Sequence, residues 1–114
     1  MSPKTGEIWW VDFGDKQPRR VAKRRPAIVM APFETEDWEY QNFIMVPLTK
    51  SDRHKPSDIA IDPNTENGLP SRCFAQCELM GSMPSITLLE KIGVIDPDNW
   101  QRIRWIMRSL LGFD

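Results

Sequence analysis

Ten prolines and six glycines divide this chain of 114 residues into short segments, and no other feature constrains its fold as strongly. The segments between them are apolar and rich in β-favouring residues, which predicts short strands joined by turns. A long polar loop at 15–25 separates the first strand from the second. The predicted strands cover residues 7–13, 26–31, 43–49, 58–62, 73–80 and 86–95, with interruptions at Gly81 and Pro84.

The C-terminal segment is instead predicted to be helical. Asp96, Pro97 and Asp98 are typical of a helix N-terminus, and Gly112 suits a C-terminal cap. Apolar residues recur between them at helical spacing, at Trp100, Ile103, Met107, Leu110 and Leu111. Trp105 falls on the opposite face, which indicates a partner surface for a second copy of the chain or for another protein. We therefore predict a mainly β fold, a small and strongly curved antiparallel sheet or barrel, with one C-terminal α-helix.

Composition limits the class of protein. A mass of 13.3 kDa suits one domain, 1–114, and a formal net charge of −1 excludes a histone-like cationic protein. No run reaches the roughly 18 apolar residues of a transmembrane helix, and the first residues lack the apolar core of an export signal. We therefore expect no membrane association and a cytoplasmic location, with Cys73 and Cys77 reduced and serving as packing residues. Two cysteines and one histidine cannot complete a zinc cage without carboxylates, so no metal or other cofactor is expected.

The main functional signal is a run of positive charge in the first long loop. Lysine and arginine occupy six of the ten positions from 16 to 25, with no acid among them, although the rest of the chain is net acidic. Such a local patch suits phosphate, and the arginine fork binds phosphate with two hydrogen bonds, so nucleic-acid binding is favoured over an idle solvated loop. Arg25 is the most rigidly placed of these cations, because Pro26 biases it toward an extended conformation.

Two polar residues, one at the end of the third predicted strand and one in the loop that follows it, have both structural and functional interpretations. Thr49 ends that strand, where a hydroxyl can donate to a phosphate or simply satisfy a strand-end carbonyl. His54 is the only side chain that titrates near neutral pH without perturbation. Its polar neighbours predict an exposed loop residue more readily than a general acid or base. The residues alone leave both alternatives open.

Several segments resemble, in order, those of the MazF/PemK toxins. The first three are 6–13 (GEIWWVDF), 25–29 (RPAIV) and 46–49 (VPLT). They are followed by 67–70 (NGLP), by 90–93 (EKIG) and by a C-terminal helix that ends in Leu-Gly. The resemblance therefore covers nearly the whole chain, and its motifs are specific together although weak singly.

The resemblance implies a fold and an activity. The family fold is an SH3-like β-barrel with a C-terminal helix, usually a homodimer. Its members are toxins of type II toxin–antitoxin pairs, endoribonucleases that cut single-stranded RNA without a metal and leave 2′,3′-cyclic phosphate and 5′-hydroxyl ends. A cognate antitoxin blocks the RNA site. The family's catalytic arginine before proline corresponds to Arg25, and its catalytic threonine to Thr49. The expected phosphate-facing patch consists of Arg19, Arg20, Arg24 and Lys50.

Two departures from the family pattern bear on the activity of the site and on substrate choice. Arg20 stands where the family often has a glutamate, five residues before the catalytic arginine. Residues 78–83 (ELMGSM) replace a Gln-Ile and Thr-Ile-Asp-like stretch that contributes to RNA recognition in the family. The resemblance therefore does not carry over a cleavage sequence.

Two other functions fit the same small barrel. One is a non-catalytic, degenerate toxin that binds nucleic acid or an antitoxin. The other is a gyrase poison of the CcdB type, whose fold resembles that of the family. CcdB toxins act through a C-terminal Trp-Gly-Ile, whereas this chain ends in Leu-Gly-Phe-Asp, which disfavours that alternative.

Overall fold

The secondary structure follows the proline and glycine pattern closely. The computed structural model describes residues 3–14, 24–31 and 42–113. Its strands are β1 (Glu7–Asp12), β2 (Arg24–Ala31), β3 (Asn42–Thr49), β4 (Asp58–Ile61), β5 (Cys73–Gln76), β6 (Gly81–Pro84) and β7 (Leu88–Val94), and its helix is α1 (Pro97–Leu111). Short 3₁₀ turns, Cys77–Leu79 and Ser85–Thr87, flank β6. The prediction of a mainly β fold with one C-terminal helix is confirmed.

The strand predicted over residues 73–80 is wrong beyond Gln76. The Cys77 backbone N–H donates to the Ser57 carbonyl at 3.3 Å, and the Met80 N–H donates back to the Cys77 carbonyl at 3.2 Å. These bonds turn the chain after β5, and it resumes as β6. Cys73 and Cys77 are buried and form no disulfide, and burial raises the pKa of Cys77 to about 11. Both cysteines are therefore packing residues, as predicted.

β3 organises the sheet because it pairs along both edges. All strand pairs are antiparallel, in the order β4-β5-β3-β2-β1-β7, and β6 also pairs with β3. One edge of β3 pairs with β2, whereas the other pairs with β6 as far as Met45 and with β5 from Leu48 onward. Pro47, which has no backbone N–H, lies in the gap between these two partners.

The described strands form a curved antiparallel sheet that does not close into a complete barrel. Among the described strands, β4 and β7 form the two ends of the pairing order and do not pair with each other. The turn that follows β4 contacts β7 instead, since the Val94 backbone N–H donates to the Glu66 carbonyl at 2.9 Å. A turn therefore occupies the position where a closing strand pair would lie.

Two glycines permit this close approach. A Cβ atom on Gly68, whose φ is +64°, would lie 2.6 Å from the Ile92 carbonyl oxygen. A Cβ atom on Gly93 would overlap the carbonyl oxygen of Glu66. The 67–70 and 90–93 segments, recognised separately in the sequence, therefore meet in the fold.

Asn67 holds the same turn from within. Its side chain is fully buried. Its Oδ1 accepts hydrogen bonds from the backbone N–H groups of Asn64 at 3.1 Å and Leu69 at 2.9 Å, and its Nδ2 donates to the Asp62 carbonyl at 2.9 Å. These bonds compensate the cost of burying an amide and fix the shape of the turn.

Strand alternation distributes apolar side chains into two clusters on opposite faces of the sheet. The larger cluster lies between the sheet and α1 and includes Ile8, Ile28, Val46, Ile103 and Met107. The smaller cluster, on the other face, consists of Trp9, Val11, Ala27, Val29, Phe43 and Met45. Each long strand thus contributes to both clusters.

The helix begins and ends as predicted. Asp96 Oδ2 accepts a hydrogen bond from the Asn99 backbone N–H at 3.0 Å, Pro97 opens the first turn, and Gly112 takes the left-handed conformation with φ 76°. Trp105 is 67% exposed, in agreement with its predicted position. Leu110 and Leu111 are exposed although their spacing predicted core positions, so the buried face of the helix ends at Met107. No helix in the described ranges is long and apolar enough to span a bilayer.

Candidate active site

Arg25 and Thr49 lie on the same face of the sheet, near the adjoining ends of β2 and β3. These strands pair with Ala27 opposite Pro47. Continuing this register by two residues places Arg25 opposite Thr49, and side-chain alternation puts both on the face of the smaller cluster. Directly opposite residues of an antiparallel pair have Cβ atoms about 4.5–5.5 Å apart. The continued register therefore predicts that the two residues that the resemblance implied to be catalytic lie side by side.

The β1 strand supports Arg25 from its other edge. Val11 is the paired residue of Arg25 and is fully buried in the smaller cluster. Arg25 itself is half-buried, at the border between this cluster and solvent. A guanidinium group in that position is screened less by water than one in an open loop, so it acts more strongly on a phosphate.

Thr49 is oriented by a local hydrogen bond. Its Oγ1 accepts from the Ser51 backbone N–H at 3.3 Å, and the side chain is half-buried. The sequence allowed a structural role at a strand-end carbonyl, whereas the observed contact is to a backbone donor. Because the oxygen is the acceptor in this contact, the hydroxyl hydrogen can still be donated to a substrate oxygen.

An ion-pair cluster holds the loop that follows Thr49. Arg53 donates two hydrogen bonds to Asp58, at 2.9 and 2.7 Å, and the Asp58 side chain is only 2% exposed. Glu78 accepts from Lys55 Nζ at 2.7 Å and lies 3.3 Å from Arg53. The hydrogen bond from Lys55 lowers the pKa of Glu78. This cluster fastens residues 53–55 to the 3₁₀ turn after β5.

An aromatic residue extends the row formed by Arg25 and Thr49. Phe74 on β5 is the paired residue of Thr49 and lies on the same face. Its ring is half-buried, and the Arg72 guanidinium carbon lies 5.5 Å from the ring centroid. Arg72 Nε also lies 3.3 Å from Asp62 Oδ1. Guanidinium, hydroxyl and aromatic ring thus follow one another across three adjacent strands, and we call Arg25, Thr49 and Phe74 the site row.

The other predicted RNA-binding residues are less closely gathered. Arg24 is exposed and, by alternation, points to the opposite face of β2 from Arg25. Lys50 is exposed just after β3, and its charge partly offsets the burial that raises the pKa of Cys73. Arg19 and Arg20 lie outside the described residues. A phosphate-contacting role for these four residues stays a prediction.

His54 is an exposed loop residue, as its neighbours indicated. Its side chain is 84% exposed and its backbone φ is 56°. The His54 backbone N–H donates to Asp52 Oδ1 at 2.8 Å, a local bond that shapes the turn. The exposed position of His54 agrees with a loop residue and gives no support to a general acid–base role.

No group of three or more His, Cys, Asp or Glu side chains within residues 3–14, 24–31 and 42–113 is arranged to hold a metal ion.

Sequence reasoning missed Phe74 and the Arg53–Asp58 ion pair. Phe74 was included in a continuous apolar run, which concealed its orientation. Strand alternation could have shown that Phe74 faces the opposite side of the sheet from Cys73 and Ala75, which are both buried in the larger cluster. The ion pair joins residues five apart across a turn, and no local periodicity predicts such a contact.

Solved structures with similar folds come from bacterial toxins. MazF from Deinococcus radiodurans superposes with a TM-score of 0.78 at 20% identity, covering 98% of each chain. An endoribonuclease in complex with its cognate antitoxin, from a mycobacterial species, gives 0.76 at 17% identity, covering 99% of this chain and 98% of that one. The Mycobacterium tuberculosis toxin MazF-mt6 gives 0.75 at 18% identity, covering 95% and 98%. At these identities the likeness establishes the fold.

Two comparisons of the sequence bear on family membership. A search of curated protein sequences found no match. The profile described as PemK-like, MazF-like toxin of type II toxin–antitoxin system matches residues 4–111, which is nearly the entire chain. The protein therefore belongs to the PemK-like, MazF-like toxin family of type II toxin–antitoxin systems.

Proposed function

We propose that the protein is an endoribonuclease that cleaves single-stranded RNA at specific sequences and leaves 2′,3′-cyclic phosphate and 5′-hydroxyl ends. The observation that carries this proposal is the β2–β3 register, in which Ala27 pairs with Pro47 and whose continuation by two residues would put Arg25 opposite Thr49. Family membership supports it, as does the likeness to structures named endoribonucleases. Arg25 and Thr49 are the proposed catalytic residues.

The chemistry follows from the charge that the reaction creates. The ribose 2′-oxygen attacks the adjacent phosphorus, the bond to the 5′-oxygen breaks, and a proton moves from the attacking to the leaving oxygen. Negative charge accumulates on the non-bridging oxygens in between. Arg25 offers a permanent cation with paired N–H donors, and Thr49 adds an O–H donor from the neighbouring strand. In this scheme the guanidinium supplies the positive charge, so the reaction requires no metal.

Unpaired RNA is the proposed substrate because the attacking group must reach an in-line position. A duplex holds each ribose and phosphate in a fixed helical geometry, whereas a single strand can bend at the cut and turn its bases outward. Arg19, Arg20, Arg24 and Lys50 would hold the flanking phosphates, which gives binding a marked salt dependence.

Cleavage in the presence of EDTA tests the proposal. Purified protein is incubated with mixed-sequence single-stranded RNA, and cuts are mapped for the wild type, Arg25→Ala and the control Arg108→Ala, which removes an exposed arginine near the end of α1. We expect specific cuts by the wild type and the control, and a loss of about 10²–10³-fold in rate for Arg25→Ala. Salt-dependent binding of RNA without any product would favour the non-catalytic binder instead.

The partners follow from the same family. We propose a cytoplasmic homodimer that is inhibited by a cognate antitoxin; a similar solved structure contains such an antitoxin. Sedimentation of the purified protein tests the homodimer, and a monomer at micromolar concentration would contradict it. Co-purification with the product of a short adjacent reading frame tests the antitoxin.

A further inference from the structure

We propose that Phe74 and Arg72 form a stacking platform for the RNA base next to the phosphate held by Arg25 and Thr49. The platform would make Phe74 a positioning and specificity-determining residue. This inference rests on the proposed function for its substrate, single-stranded RNA, but it can be tested by binding alone.

The first argument is position. Phe74 is the paired residue of Thr49, on the same face of the sheet. Neighbouring strands lie about 4.8 Å apart, so the Phe74 backbone is about one strand spacing from Thr49 and about two from the β2 strand that carries Arg25. A single nucleotide spans a comparable distance. Its base can therefore lie on Phe74 while its phosphate lies between Thr49 and Arg25.

The second argument is that the ring is not a core residue. Its sequence neighbours Cys73 and Ala75 are both buried in the larger cluster, whereas Phe74 is only half-buried and belongs to neither apolar cluster of the described residues. A large ring left beside a cationic and hydroxylic pair is available to a ligand. RNA-binding proteins use such rings to stack unpaired bases.

The third argument is the arginine above the ring. The Arg72 guanidinium lies 5.5 Å from the Phe74 centroid, within cation–π distance. Its side chain is 60% exposed, and its ion-pair partner Asp62 is 78% exposed, so the pair constrains it only weakly. The planar guanidinium can therefore continue the stack as a second flat surface for a base, which a lysine could not do.

Binding without cleavage tests the inference. The probe is a short, fluorescently labelled single-stranded RNA of mixed sequence whose 2′-hydroxyls are methylated, and affinity is read from anisotropy. Phe74→Leu should weaken binding by about 5- to 100-fold, since stacking on one aromatic contributes about that much. Phe74→Tyr should bind within about twofold of the wild type, because it retains the ring. The control Phe113→Leu, which changes an exposed ring at the end of α1, should bind like the wild type.

Arg72 variants distinguish a stacked plane from a point charge, and they alter a side chain that is 60% exposed. Arg72→Lys keeps the charge but should still weaken binding several-fold, with an unchanged salt dependence. Full affinity in Arg72→Lys together with unchanged binding in Phe74→Leu would overturn the platform. Melting temperatures identify any variant that fails to fold. If Phe74→Leu does not fold, RNA binding by the Arg72 variants decides whether the platform exists.

Abasic substitutions locate the stacked base. Once cuts have been mapped, single bases are removed at successive positions around the scissile phosphate. At one position next to that phosphate, we expect base removal to weaken wild-type binding and to leave Phe74→Leu unaffected. Equal losses for both proteins at every position would contradict the platform. If the wild type binds RNA through Phe74 but never cuts it, the proposed cleavage fails and the platform stands.

Discussion

Arg25 lies in strand β2, whereas the sequence pattern placed it at the end of a charged loop. The basic run and the following proline were enough to single it out. Its partner could not be identified in the same way, because only the continued β2–β3 register puts Thr49 opposite it. Alternation alone would have shown that Arg24 and Arg25 point to opposite faces once the strand was known to begin at Arg24.

The role proposed for the Thr49 hydroxyl can be tested with two substitutions, one that removes the hydroxyl and one that keeps it. Thr49→Val keeps the β-branched shape but removes the donor, so cleavage in a single-turnover assay should fall about 10²-fold. Thr49→Ser keeps the hydroxyl and should recover most of the rate. Equal rates for the wild type and Thr49→Val would show that the hydroxyl does not act on the developing charge.

Glu7 provides a prediction about pH and stability. Its carboxylate is nearly buried and accepts hydrogen bonds from the Lys4 backbone N–H at 2.9 Å and from Trp9 Nε1 at 3.0 Å, with Lys91 Nζ 3.0 Å away. Burial raises its pKa, but the bonds from Trp9, Lys4 and Lys91 outweigh burial and hold the pKa below 4.5. The charged form is therefore favoured by folding, and its stabilisation is present above pH 4.5 and lost as the pH falls through the lowered pKa.

Urea denaturation of Glu7→Gln measures this effect. At pH 7 the variant should be less stable than the wild type by about 1–3 kcal/mol, the contribution of hydrogen bonds to a charged group. The difference should shrink as the pH is lowered through about 4 toward 3. A difference that grew with acidity would show that the sign of the pKa shift is wrong.

At the scale of elements, the contact between the turn at 62–70 and β7 depends on the absence of a side chain. Gly93→Ala places a Cβ against the Glu66 carbonyl oxygen and should lower the free energy of unfolding by about 1–3 kcal/mol. Gly81→Ala is the matched control, because its nearest neighbour would be 3.9 Å away and its φ is ordinary. Denaturant melts of both variants make the comparison. Equal stability would contradict the packing of this turn against β7.

Element types were predictable where a local rule determined them. The helix limits followed from Asp96, Pro97 and Gly112, and the strands followed from apolar runs between prolines. The turn after Gln76 was not predictable, because it depends on a hydrogen bond from Cys77 to the distant Ser57 carbonyl. The open sheet was not predictable for the same reason, because the turn that contacts β7 does so through a tertiary hydrogen bond between Glu66 and Val94.

At the scale of the whole molecule, the outer face of α1 is a second surface apart from the site row. Trp105, 67% exposed, lies in a hollow with Arg102, Arg104 and Arg108. Two copies meeting symmetrically there would bring like charges together, whereas an acidic segment would complement them. We therefore expect this face to bind an acidic segment of a partner protein, and the proposed antitoxin is the partner to test.

The measurement is binding of the antitoxin to Trp105→Ala by calorimetry, with Ile86→Ala as a control that removes an exposed apolar side chain from a 3₁₀ turn. Trp105→Ala should weaken binding at least tenfold, since a central aromatic anchor typically contributes 2 kcal/mol or more. Binding lost only in Ile86→Ala would place the antitoxin on the β6 side of the molecule.

The central claim is that the RNA's own 2′-hydroxyl is the nucleophile and that Arg25 stabilises the charge it creates. Mass analysis of the product ends tests this most directly, on an RNA cut in EDTA and on the same RNA with a single 2′-deoxy substitution at the mapped cut. We predict 2′,3′-cyclic phosphate and 5′-hydroxyl ends from the first RNA and no cut at that site in the second. Products with 5′-phosphate ends, or cleavage of the deoxy-substituted site, would contradict the account.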